Sequence, residues 1–80
     1  MQEIQNLAAC ILHYRRSFHE SQAMFAERCG LSVEIVSLLE RKLANPSLGL
    51  LVKISKHLGI SVSAMLSFTE GNEKERDIFA

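Results

Sequence analysis

Residues 21–47, "SQAMFAERCGLSVEIVSLLERKLANPS", decide the fold. Ser21 has a hydroxyl that can accept the free N–H groups of a following helical turn. Ala23, Phe25, Ala26 and Cys29 then supply an apolar face, and Gly30 suits the left-handed position that ends a helix. This predicts a helix over Gln22 to Cys29. Ser32 repeats the start signal, and Glu34 places a carboxylate in the first turn, where it complements the helix dipole. Val36 and Leu39, with Ile35 beside them, form the inward side of a helix over about 32–41. "KLANPS" then breaks the pattern, because a residue before proline, here Asn45, is pushed out of the α region. The stretch reads as two short helices joined by a glycine turn.

The reading extends in both directions. Ile4, Leu7, Ala8, Ile11, Leu12 and Arg15 recur on one helical face and predict a first helix over about Glu3 to Phe18. Ser47 caps a fourth helix whose face is Leu48, Leu51, Val52, Ile54, Ser55 and Leu58, closed by Gly59. "SVSAMLSF" predicts a fifth helix from about Ser63 to Phe68. No segment alternates with period two over a useful length. The expected fold is all-α: a compact five-helix domain over residues 1–68, followed by a short acidic C-terminal tail, 69–80.

Eighty residues suit one small domain, and 48% hydrophobic content allows a thin but continuous core. Formal charge is zero, with nine Lys and Arg against nine Asp and Glu. The distribution is uneven. Residues 1–66 carry seven bases and five acids, a net of +2, while 67–80 carry two and four, a net of −2. Cys10 and Cys29 both fall in helical stretches and read as core thiols of a reducing, cytoplasmic protein. There is no CxxC, and His13, His19 and His57 lack metal-ligand spacing with the cysteines, so neither metal nor cofactor is expected. "MQEIQNLAAC" has no signal-peptide pattern, and no apolar run is long enough to span a bilayer. No nucleophile, base and orienting residue form a recognisable set, and no phosphate-binding loop occurs, so no catalytic residue is assigned. His57 reads as a surface or boundary histidine.

The ordered set "SQ", "FAERCGLS", Val36 with Ser37, "LER" and "NPSL" resembles the helix-turn-helix domain of Cro/C1 phage-repressor type, also called the xenobiotic-response-element family. The resemblance runs from about Leu7 to Leu66 and includes "LLVKISKHLGISVSAML". It implies a sequence-specific DNA-binding transcriptional regulator, a repressor-like homodimer, with the third helix in the major groove. Carried over position by position, Ser32, Val33, Glu34, Ile35, Ser37 and Leu38 stand at or beside the base-facing positions. Gln22 matches a phosphate-holding residue, and Arg41, Lys42 and Asn45 lie where the backbone is touched. Arg15 and Glu40 match a structural ion pair between the first and third helices. Leu50, Val62, Leu66, Phe68, Ile78 and Phe79 are the dimerisation candidates, with closure of the core as their other role.

The sequence departs from the family at several of these places. Bidentate base readers are Arg, Lys, Asn and Gln, and the third helix offers Val33, Ile35 and Leu38 instead. Lys42 stands where glycine is usual, which implies a strained turn or a longer helix. Met24 replaces the acid of a capping box, and Glu20 replaces an apolar residue. A stripe of Val33, Ile35, Leu38 and Met24 would suit a protein surface, so a domain used mainly for protein–protein contact, with a regulatory protein partner, is the second reading.

Overall fold

The computed structural model describes residues 1–69. Its five helices are α1 Gln2–Ser17, α2 Gln22–Cys29, α3 Val33–Glu40, α4 Leu48–Leu58 and α5 Val62–Leu66. No strand occurs among the described residues, and none of their helices is long and apolar enough to cross a membrane.

Local chemistry sets the helix boundaries. Ser21, Ser32, Ser47 and Ser61 are the N-caps of α2 to α5, each with an extended backbone and a hydroxyl accepting the N–H three residues on, at 3.0–3.2 Å. Gly30 and Gly59 end α2 and α4 in the left-handed conformation, at φ 75° and 73°. After α3 the same region is occupied by Lys42, at φ 64°, where a side chain costs about 1 kcal/mol. The strained turn is therefore the outcome, and the helix does not run on. α1 begins and ends one residue earlier than expected. α5 spans Val62–Leu66 rather than Ser63 to Phe68, because Ser61 is its cap.

The core is built by Leu7, Cys10 and Ile11 of α1, Phe25, Ala26 and Cys29 of α2, Val36 and Leu39 of α3, Leu51, Ile54 and Leu58 of α4, Met65 and Phe68. α1 packs on α3 and α5, and α2 packs on α3 and α4. The helix-turn-helix pair is thus backed on one side by α1 and on the other by α4. Asn6 fastens the outer end, its Nδ2 donating to the Leu66 carbonyl at 2.8 Å. Two residues expected on the inner face of α4 point outward: Leu48 is 71% exposed, and Val52 is also exposed. Ala23 is exposed as well.

Of the dimerisation candidates, Phe68 is consumed by the core, where its ring meets those of His13 and Tyr14. Leu50, Val62 and Leu66 are half-buried against the same core. Ile78 and Phe79 lie outside the described residues.

Candidate nucleic-acid interface

The interface expected from the sequence is organised by the N-terminal ends of α2 and α3. In each, the serine cap satisfies one N–H, and helix geometry leaves the first turn's other donors without an intrahelical partner. Such ends attract phosphate. Tight packing of α2 on α3 around Gly30 holds the two ends at a fixed spacing, with Leu31 N–H bonded back to Ala26 at 2.8 Å.

Ser32, Val33 and Glu34 are exposed on the first turn of α3. Val33, at 48%, is the open apolar residue of that turn. Ser37 and Leu38 are half-buried, and Ile35 is half-buried against the core. The apolar stripe inferred from the sequence is therefore narrower than expected. Val33, with exposed Met24 on α2, is what solvent sees. The reason is periodicity: Ile35 and Leu38 adjoin the inward Val36 and Leu39, so neither is fully open to solvent. At the far end Arg41, Lys42 and Asn45 are exposed. Arg41 is the C-cap of α3, and the left-handed backbone at Lys42 lets Leu43 N–H reach the Leu38 carbonyl at 2.9 Å.

Behind this surface lies the expected ion pair, in bidentate form. Arg15 Nε donates to Glu40 Oε2 at 2.7 Å and Nη2 to Oε1 at 3.1 Å. The hydrogen bond to Glu40 outweighs partial burial and holds the guanidinium still more firmly protonated. Gln22, expected to hold a phosphate, donates its Nε2 to Glu40 Oε1 at 3.0 Å. One N–H of its amide is thus tied to the pair, leaving the second N–H and the helix end as donors for a partner.

Sequence reasoning missed the second network. Glu20, noted only as a departure from an apolar pattern, is the buried charged residue among those described, at 3% exposure. Arg28 Nη1 donates to its Oε2 at 2.6 Å, and His57 Nε2 lies 3.0 Å from its Oε1. Burial alone would raise the carboxyl pKa; hydrogen bonds from His57 and Arg28, with their charges, outweigh it and hold the group below its ordinary range. Burial, helped by the Glu20 charge, pushes the Cys29 thiol up to about 11, so it is an inert core thiol. His57 is a boundary residue, as read from the sequence, but one with a partner. The Glu20–Arg28 spacing of eight residues was a weak signal, and the spacing to His57 gave none.

Comparison with known proteins agrees with this architecture. A helix-turn-helix family model matches residues 13–64. The crystal structure of a hypothetical transcription factor, NHTF, from Neisseria superposes with a TM-score of 0.79 at 28% identity, covering 92% of this chain and 84% of that one. No curated protein matches the sequence significantly.

Proposed function

The chain belongs to the helix-turn-helix family of Cro/C1 type, and from that premise we propose that it is a DNA-binding transcriptional regulator that acts as a homodimer. Each protomer sets the first turn of α3 against base edges in the major groove. Two copies of α3 then lie about 34 Å apart on a roughly palindromic operator. The observation that carries the reading is the pairing of two serine-capped helix ends on one rigid α2–α3 unit, with Arg41 and Lys42 exposed beyond the same helix.

The chemistry of α3 narrows the operator. Val33 suits a thymine methyl, and Glu34 can accept from a cytosine amino group. Arg15 and Arg28 are engaged by Glu40 and Glu20, which leaves few cations for phosphate. Affinity is accordingly modest and its salt dependence shallow, well short of the slope that about eight neutralised phosphates per dimer would give.

Selection from random duplex DNA tests the proposal. The expected result is a palindromic, A·T-weighted consensus, and no enrichment would overturn it. Exposure of Val33 and Met24 beside a cation-free helix favours a second reading, in which this face meets a protein. A partner whose tight binding is abolished by Val33→Asp, with no DNA enriched, would establish that alternative.

A further inference from the structure

Glu20 directly precedes Ser21 and Gln22, the edge of α2 where the family resemblance implies a phosphate contact. Its side chain joins α2 to α4 through Arg28 and His57. Its backbone carbonyl accepts from Arg15 Nη1 at 3.0 Å, and the same guanidinium holds Glu40, which holds Gln22. Hydrogen bonds on either side of Glu20, joined through its own covalent frame, therefore connect His57 on α4 to the amide of Gln22. We infer that Glu20 and His57 are positioning residues for the N-terminal edge of α2, so that the grip on DNA follows the charge on the His57 imidazole. The inference rests on the DNA-binding reading.

The geometry constrains the ring. Phe25 packs edge-on to His57 at a centroid distance of 5.3 Å and Phe18 at 5.9 Å, with interplanar angles of 77° and 78°. Held by two aromatic rings, the imidazole keeps Nε2 on Glu20. An imidazole changes charge between about pH 5 and pH 8. Charged, it gives the buried carboxylate a charge-assisted hydrogen bond. Neutral, it gives at most an ordinary one, decided by which nitrogen carries the hydrogen.

Other charged or titratable groups on the path or near it in sequence are Arg15 on α1, His19 in the connection, Arg28 and Cys29 on α2, Glu40 on α3, and Lys53 and Lys56 on α4. The arginines keep their charge throughout, and the Cys29 thiol stays neutral with its pKa near 11. His19, Lys53 and Lys56 are exposed. His57 is thus the member of the path whose contact with the Glu20 carboxylate changes character over this range.

Two measurements on the full chain test the inference. In the free protein, NMR follows the His57 ring and the Gln22 side-chain amide from about pH 5 to about pH 8. The Gln22 signals are expected to move with the His57 midpoint in the wild type and to lose that dependence in Glu20→Gln. Gln22 signals indifferent to His57 overturn the inference and leave the DNA reading untouched. The second measurement is affinity, at fixed ionic strength, for a duplex recovered from the random pool. Wild-type affinity is expected to fall about threefold to tenfold between about pH 6 and pH 8. His57→Gln, which keeps Arg28 on Glu20, is expected to flatten the profile while thermal melting shows it folded. A flat wild-type profile, or one equally steep in His57→Gln, overturns the inference. Recovery of no duplex overturns the DNA reading and this inference with it, and intact Gln22–His57 coupling distinguishes that failure from the others.

Discussion

Glu40 and Glu20 lie on either side of Arg15. Glu40 takes two guanidinium nitrogens with its carboxylate and adds the neutral amide of Gln22. Glu20 takes the third nitrogen with its backbone carbonyl and spends its carboxylate on Arg28 and His57. Arg15 and Glu40 are both mostly buried, whereas Arg28 is 53% exposed over a carboxylate with no exposure at all. One carboxylate joins α1 to α3 through a planar fork whose charge never changes. The other joins α2 to α4 through one cation that is half in water and one imidazole ring. The same residue type thus gives a permanent clamp in one place and a conditional one in the other.

That contrast can be broken most directly at Arg15. Arg15→Ala strips Glu40 of its charged partner and the Glu20 carbonyl of a donor. The expected loss is about 3 kcal/mol in urea unfolding. A loss under about 1 kcal/mol would place the pair with ordinary surface ion pairs and remove the distinction.

Arg28→Ala comes next. Its exposure discounts its own contribution, so the cost comes from the carboxylate left behind, about 1–2 kcal/mol. His57 is then the sole side-chain partner of the carboxylate, so Arg28→Ala and His57→Gln together are expected to cost more than the sum of their separate losses. Additive losses would mean that His57 does not share the load.

Acid unfolding sharpens the comparison further. The folded Glu20 pKa lies below its unfolded value, so its stabilisation is complete above roughly pH 4.3 and is lost as pH falls through the folded value. Glu20→Gln is expected to remove that part of the acid limb in urea midpoints measured down to about pH 2.5. An unchanged limb would show that other carboxyls carry it.

The smallest effect falls on Cys29. Its folded pKa of about 11 exceeds the unfolded one, so its contribution is present below roughly pH 8.5 and is lost as pH rises through the folded value. Burial is the larger cause and Glu20 the smaller, so Glu20→Gln is expected to lower the pKa only slightly. Alkylation rates assigned to Cys29 by mass spectrometry would register the change.

Helix existence was legible wherever one residue carries the signal. Ser21 and Gly30 bound α2, and Ser47 and Gly59 bound α4, as their side-chain chemistry dictates. The Arg15–Glu40 pair was legible through the family resemblance. Leu48 and Val52 were misplaced because α4 carries more apolar residues than one face can bury, and periodicity does not say which are left over. Ile35 shows the opposite error, since it packs against the core, and Leu38 beside it is half-buried. The Glu20 cluster was illegible for another reason: its partners lie eight and 37 residues away, and only packing of α4 on α2 brings His57 to the carboxylate.

Four serine caps in succession have a consequence for folding speed. Each helix from α2 to α5 has its first residue set by its own neighbour rather than by a distant contact. Nascent helices can therefore start in the right register before the chain collapses. Short connections then let successive helices meet without closing long loops. A domain assembled from such local decisions belongs with the microsecond-to-millisecond folders, and loss of a single cap should slow its folding only where that helix is part of the nucleus.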